Sequence, residues 1–287
     1  MMRPLTTTIC AVLLISSCTK DNLKDEFRVG LVTPGSIADA AWNSGAYAGL
    51  QQIRDSLGVT VSHVEARTPA EQEEALRTYA AQGYSLVFGH GFEFQGSAER
   101  VSQQFPATIF VVTSGERVAQ NVSPLIFRLH EASYLAGMVA GGMSRTGTIA
   151  FVGGIELPPI KLAEDAWVAG ARRMNPAIVP RSTYLNTFDD VAAGREAALA
   201  LLQTGADMFH HNADQAALGT FQAVKESPAA YIFGANLDQS SLAPERVLGS
   251  AEIDLPRAFL TVAREVKEKR FRPRVIDLGT RSRPGHA

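Results

Sequence analysis

The chain of 287 residues has almost no cysteine, since its two cysteines, Cys10 and Cys18, both lie near the N-terminus. The long remainder therefore cannot contain a disulfide scaffold, a cysteine-ligated zinc site or a cysteine nucleophile. An excess of positive charge is also absent, because 27 Lys and Arg residues face 29 Asp and Glu residues, for a formal net charge of −2. Nucleic-acid binding is disfavoured, because it requires a surplus of cations near phosphate.

Several sequence motifs of cofactor chemistry are missing as well. Gly89 and Gly91 are followed by Phe94 where a dinucleotide fingerprint needs a third small residue, and no phosphate-binding loop occurs. A Gly-x-Ser-x-Gly nucleophile motif is also absent. His210 and His211 are adjacent, and neighbouring residues of a strand point to opposite faces, so they make a poor metal pair. We expect no cofactor and no metal ion.

Long hydrophobic runs are lacking, and the one apolar segment at the N-terminus, Ile9–Ile15, is too short to span a bilayer. It follows Arg3 and precedes small residues, which is the pattern of an export signal. Residues 15–18 (Ile-Ser-Ser-Cys) resemble a bacterial lipobox. This resemblance predicts a signal peptide over residues 1–17, lipid attachment at Cys18 and a tether over 18–26. The alternative is an ordinary export signal in which Cys18 is incidental.

What the remainder does contain is a regular alternation of short β-branched runs with amphipathic stretches. In 42–57, for example, Ala46, Leu50, Ile53 and Leu57 fall on one helical face. Candidate strands such as Ile109–Thr113 are apolar throughout, which is typical of strands buried on both faces. This alternation predicts an α/β protein with parallel sheets covered by helices.

The alternation occurs twice, which predicts two lobes with a cleft between them. We assign 27–127 plus 251–272 to lobe 1 and 128–250 plus 273–287 to lobe 2. Ligands of open α/β sheets bind beyond the carboxyl ends of the strands. Candidate binding residues are therefore those that follow the predicted strands.

Several of these segments resemble the basic-membrane-protein family of bacterial lipoproteins, the substrate-binding proteins of ABC importers. The segments are AAWNSGAYAGL, FGHGF, EASYLAGMVAG, GTIAFVGGIELPPI, FDDVAAGREAALALLQTGAD and NLDQ, in that order. The resemblance implies a type I periplasmic-binding-protein fold of two Rossmann-like lobes, with the ligand between them. It also implies a purine nucleoside as ligand, an ABC permease as partner, no enzymatic activity and a place at the extracytoplasmic face of the cell membrane.

The resemblance assigns roles to a few side chains. Trp42-Asn43 matches the family's Phe-Asn, whose ring stacks on the purine and whose amide hydrogen-bonds the base. Phe188 matches a position that can supply a second ring. The alternatives are core packing for Trp42 and Phe188 and a helix cap for Asn43.

Three departures from the family pattern affect the sugar half of the ligand. Ser114 and Asn236 replace acids, and Ile253 replaces a lysine of the ribose-binding residues. A free nucleobase such as adenine, or another small planar polar solute, is therefore as plausible a ligand as a nucleoside. The remaining candidate binding residues are Asp39, His90, Phe92, Ile155, Asn212 and Asp238. Three further polar residues could line the cleft or be structural: Glu93, His210 and His211.

Two other functions remain open at this point. Asp39, Asp189 and Asp190 could serve as carboxylates of a nucleoside-cleaving hydrolase, although acids beside helix starts are more often caps. The chain could also be a surface receptor without a transport role.

Overall fold

The computed structural model of the protein describes residues 26–279. The expected signal peptide over 1–17, the lipidation site Cys18, nearly all of the 18–26 tether and the last eight residues lie outside the described residues. Among the helices of 26–279, none is both long and apolar enough to cross a membrane.

The first lobe contains a six-stranded sheet in which all paired strands are parallel. Its spatial order is β11-β5-β4-β3-β1-β2. The strands are β1 (Arg28–Thr33), β2 (Thr60–Glu65), β3 (Leu86–His90), β4 (Ile109–Thr113), β5 (Val122–Phe127) and β11 (Ile276–Leu278).

The second lobe contains a five-stranded parallel sheet with the order β10-β9-β8-β6-β7. The strands are β6 (Thr148–Gly153), β7 (Val179–Tyr184), β8 (Met208–Asn212), β9 (Tyr231–Asn236) and β10 (Val247–Glu252). These two parallel sheets confirm the α/β prediction.

Helices cover the faces of both sheets. Their bounds are α1 (Trp42–Leu57), α2 (Pro69–Ala81), α3 (Gln95–Ser102), α4 (Leu129–Met143), α5 (Pro158–Met174), α6 (Val191–Gln203), α7 (Ala217–Glu226) and α8 (Leu255–Lys267). The central strands β3 and β8 are buried at every position, and β3 begins with the apolar run Leu86–Phe88 that is typical of such strands.

The C-terminal segment differs from its expected assignment to lobe 2. Ile276–Leu278 pairs with β5, so the described part of 273–287 belongs to the first sheet. Neither strand was predicted: β11 has only three residues, and β5 contains Pro124, which cannot donate a ladder hydrogen bond. The chain leaves the first lobe after β5 and returns after β10, where α8 packs on the first-lobe core through Leu255 and Phe259.

In the second lobe, α4 and α5 approach each other so closely that only glycine fits at their contact. A Cβ atom at Gly170 would lie 2.0 Å from the Tyr134 carbonyl oxygen, and one at Gly137 would lie 2.1 Å from that of Trp167. Because both neighbours are backbone atoms, a side chain there would force the helices apart. The close contact fixes α5, which begins directly after the loop that carries Ile155.

Candidate functional site

The carboxyl ends of the two sheets face a shared cavity of about 610 Å³. This volume is in the range of about 300–1,000 Å³ that is usual for small-molecule sites. Both lobes supply its walls. Of the residues expected to bind ligand, the following line the cavity: Trp42, Asn43, Phe92, Ser114, Ile155, Phe188, Asn212 and Asn236. Glu93, for which the sequence left a place in the cleft and a structural role as alternatives, also lines the cavity.

The backbone around this cavity is unusual. Among residues 26–279, six residues other than glycine have φ angles in the left-handed region, and four of them line the cavity: Ser114, Asn186, Asp214 and Asn236. Such conformations cost of the order of 1–3 kcal/mol each and cluster at functional sites. The cavity wall therefore carries strained backbone, which is typical of functional sites.

Asp39 is a candidate ligand-binding residue, but in the structure its side chain stabilises the start of α1. Its carboxylate accepts hydrogen bonds from the backbone N–H groups of Ala41 (3.0 Å), Asn43 (2.7 Å) and Ser44 (2.9 Å), and the side chain is buried. It thus satisfies N–H groups that the first turn of α1 leaves without helical partners. Asp39 is absent from the cavity wall and instead fixes the start of the helix that carries Trp42.

His90 is also absent from the cavity wall, because it lies against the Trp42 ring. The two ring centroids are 4.0 Å apart with an angle of 22° between the planes. Nε2 of His90 donates to the Trp42 carbonyl oxygen at 3.0 Å, and Nδ1 accepts from the Thr113 hydroxyl at 3.0 Å. Burial lowers the pKa of His90 to about 3, so the ring is neutral. His90 therefore supports the indole, which is half-buried and lines the cavity.

Two amide side chains line the same wall with buried oxygens. Asn43 is 4% exposed and Gln72 is 2% exposed, and within 26–279 neither Asn43 Oδ1 nor Gln72 Oε1 has a hydrogen-bond partner. A buried acceptor without a donor costs about 1–3 kcal/mol, so both oxygens are suited to N–H or O–H donors of a ligand. Gln72 was not predicted, although it lies in the first turns of α2, close to the carboxyl end of β2.

Acidic side chains form a further part of the lining: Glu93, Glu116, Asp189 and Asp214. Asp189, in the second lobe, accepts from Nη1 of Arg67 in the first lobe at 2.5 Å. Glu93 is open to the cavity but lies deep between protein walls, and this desolvation raises its pKa to about 7.

Asp214 lies two residues after β8 and connects the two lobes. Its carboxyl lies near the backbone N–H of Trp42, and Asn236 Nδ2 donates to Oδ1 at 3.4 Å. Burial, together with repulsion from other acids including Asp39 and Glu93, raises the pKa of Asp214 well above its ordinary value. Its position after a strand end is a signal that could have found it, but the contact with the other lobe is not visible in the sequence.

Phe188 and Ile155 come from the second lobe. A Cβ atom at Gly154 would lie 2.2 Å from Cδ1 of Phe188, so glycine is needed there to make room for the ring. Phe188 packs partly against the core cluster around Trp167 and also lines the cavity. The sequence left core packing and a binding surface as alternatives for Phe188, and in the structure the residue packs on the core and also lines the cavity.

Three other candidates lie off the cavity wall. Asp238 is exposed, and its Oδ1 accepts from the Ser240 backbone N–H at 2.9 Å in a turn. His210 is buried beside Ser133, and His211 is buried against Gln239, with Nε2 of each histidine within 3.0 Å of its partner. Burial lowers the pKa of His210 to about 3 and of His211 to about 4. In the described part of the chain, no cluster of three or more suitable side chains could hold a metal ion.

The raised pKa of Glu93 predicts a pH-dependent stability difference. An unfolded Glu loses its proton near pH 4.5 and the folded one near pH 7, so ionisation of Glu93 opposes folding increasingly as the pH rises between these values. Thermal melting of the ligand-free protein checks this. The melting temperature of Glu93→Gln minus that of the wild type should increase from pH 4.5 to 7 and then level off.

Asp238→Asn is the matched control for this pH series. The pKa of Asp238 is lowered by its hydrogen bonds with Ser240, so removing its charge should give no such increase. A Glu93→Gln difference that is flat across this range would contradict the assignment.

Comparison with known proteins agrees with this geometry. Residues 27–276 match the family described as ABC transporter substrate-binding protein PnrA-like. Basic membrane protein A2 of Borrelia garinii is 30% identical over 86% of this chain and 75% of its own length. The ABC transporter nucleoside-binding protein BmpA of Lactococcus lactis is 26% identical over 79% of this chain and 68% of its own.

A solved structure shows the same fold. A solute-binding protein of an ABC transporter system from Aeropyrum pernix superposes with a TM-score of 0.83, at 26% identity, over 88% of this chain and 74% of that chain. This agrees with the expected type I periplasmic-binding-protein fold. This is a family of substrate-binding proteins and not a class of enzymes. Membership in it implies an extracytoplasmic location. By its fold and by a match that spans nearly all of its described residues, the chain belongs to the basic-membrane-protein family of ABC transporter substrate-binding proteins.

Proposed function

We propose that the protein binds a purine base or nucleoside in the cavity between its lobes and delivers it to an ABC permease, held at the membrane by a lipid on Cys18. The observation that carries this proposal is the half-buried Trp42 ring on the cavity wall, backed by His90. An indole fixed in this way suits stacking on a flat heteroaromatic solute. A relative named for nucleoside binding supports the ligand class.

The contacts between the lobes suggest how binding is coupled to closure. The Arg67–Asp189 ion pair joins the lobes, as does the hydrogen bond of 3.1 Å from Gln239 Nε2 to the Ala40 carbonyl oxygen. A ligand that contacts Trp42 in one lobe and Phe188 in the other binds the closed form better than the open form. It therefore shifts the population toward the closed form that a permease recognises.

Isothermal titration of the protein with adenine, hypoxanthine, adenosine and inosine tests this function. Binding to at least one of the four is expected, with ribose as a non-planar control that does not bind. Absence of binding to all four would remove the purine assignment. The series also decides between base and nucleoside, which the departures at Ser114, Asn236 and Ile253 leave open.

The cavity charges predict discrimination against phosphorylated ligands. Four acidic side chains line the cavity, and Arg67, the one arginine of residues 26–279 that lines it, is already paired with Asp189 and Glu65. Because repulsion is weakly screened in such a cleft, adenosine 5′-monophosphate should bind at least about tenfold more weakly than adenosine. Competition titration measures this ratio. Equal affinities would show that the phosphate does not meet these acids.

The hydrolase alternative receives no support from its candidate carboxylates. Asp39 holds the start of α1, Asp189 pairs with Arg67, and Asp190 accepts from the Ala193 backbone N–H at 2.9 Å as the cap of α6. Chromatography after long incubation with adenosine should recover the intact nucleoside. Release of free adenine would instead support the hydrolase hypothesis. Loss of purine uptake on deletion of the gene would separate a transport role from that of a surface receptor.

A further inference from the structure

Glu93 and Asp214 reach the same cavity from different lobes. Glu93 follows β3 in the first lobe, and Asp214 follows β8 in the second. Within residues 26–279, neither carboxyl forms an ion pair, whereas Asp189 has Arg67 and Asp39 has the N-terminus of α1. Negative charge on Glu93 raises the pKa of Asp214 across the cleft. A ligand group that carries several hydrogen-bond donors would offset this unfavourable interaction between the two carboxyls.

The neighbouring part of the cavity wall also contains hydrogen-bond acceptors that lack donors. Asn43 Oδ1 and Gln72 Oε1 are buried acceptors without hydrogen-bond partners in the described chain, and both residues line the cavity. The carboxyl of Asp214 lies near the backbone N–H of Trp42, the residue whose ring is proposed to stack on the ligand. A base stacked on Trp42 would therefore have carboxyl and amide side chains near its rim.

Resting on the proposed purine site, we propose that Glu93 and Asp214 form a subsite for the exocyclic amine of an aminopurine, so that the protein selects adenine-type ligands over oxopurines. An amine carries two N–H donors and can satisfy one carboxyl from each lobe. A ring carbonyl would place an acceptor against the ionised carboxyl of Glu93, which leaves both of these acceptors unpaired on closure. Closure is thereby coupled to the presence of the amine.

The ionisation of Glu93 gives this selectivity a pH dependence. With a pKa of about 7, Glu93 is protonated at pH 5.5 and can donate to a carbonyl, but at pH 8 it is mostly ionised and only accepts. The preference for an amine should therefore be greater at pH 8. The other charged or titratable groups facing this region are Asp39, Arg67, His90, Glu116, His130 and Asp189.

Titration calorimetry with unsubstituted purine, adenine and hypoxanthine tests the subsite at pH 5.5 and pH 8. At pH 8 the wild type should bind adenine at least about tenfold more tightly than either other base, which corresponds to about 1.4 kcal/mol. The ratio of adenine to hypoxanthine affinity should fall at pH 5.5. Glu93→Gln and Asp214→Asn should lower it at pH 8 to within about threefold, because an amide can also donate to the carbonyl.

Asp238→Asn is the matched control, since that exposed carboxyl lies outside the cavity wall, and it should keep the wild-type ratio. Asp214 has φ of 45°, a conformation that Asn adopts readily, so the Asp214→Asn variant should fold. If it does not fold, the wild-type ligand and pH series still decide the proposal.

Two outcomes would overturn the subsite while leaving the purine site intact. One is wild-type binding of purine or hypoxanthine as tight as that of adenine, and the other is an unchanged ratio in both variants. Failure of all three bases and of the nucleosides to bind would instead refute the proposed function itself.

Discussion

Replacing Trp42 with alanine should weaken purine binding by about 5- to 150-fold, since stacking of a base on an aromatic ring is worth about 1–3 kcal/mol. The ring lines the cavity and is held in place by His90 at a centroid distance of 4.0 Å. The ligand would therefore lose a stacking surface that is already oriented. Titration calorimetry measures the effect.

Trp42→Phe is the matched control, because it keeps a stacking face and restores the aromatic residue typical of the family. Its affinity should stay within about fivefold of the wild type. The chain has two tryptophans, and Trp167 is fully buried in the second lobe, so a fluorescence change on titration reports mainly on Trp42. Unchanged affinity in a folded Trp42→Ala variant would show that the ring serves only to pack the core.

Gly170→Ala should lower the free energy of unfolding by about 3 kcal/mol or more. The added Cβ would lie 2.0 Å from the Tyr134 carbonyl oxygen, 2.9 Å from its carbon and 3.0 Å from the Met138 nitrogen. All three are backbone atoms, so no side chain can rotate away and α4 must move off α5. For a chain of this size the melting temperature should fall by about 6–12 °C.

Gly142→Ala on α4 is the control for this substitution. Nothing lies within 4 Å of a Cβ atom built at Gly142, so the change should be neutral or stabilise by up to about 1 kcal/mol. Equal melting temperatures for Gly170→Ala and the wild type would contradict the described helix contact. A displaced α5 should also weaken ligand binding, because Pro158 and Ile160 at its start line the cavity.

The fold was predictable from the sequence where it depends on local pattern. The apolar run Ile109–Thr113 and the helical spacing in 42–57 are found as β4 and α1. β5 was missed because Pro124 argues against an interior strand, and β11 because three residues carry little signal. Its pairing with β5 depends on a contact some 150 residues apart in the chain.

The candidate site was predictable only in part. The strand-end rule identified Trp42, Phe92 and Asn212 as candidate wall residues. It also selected His90, which is turned under the indole, because sequence shows that a side chain lies near a strand end but not which way it points. Gln72 and Asp214 were missed, since their importance comes from contacts between segments that are distant in sequence.

A crystal structure of the protein with adenine tests the central claim most directly. The account predicts a planar ligand in the cavity between the lobes, stacked on Trp42, with its exocyclic amine between Glu93 and Asp214. An empty cavity at saturating adenine would contradict the account, as would a bound base that makes no contact with the indole.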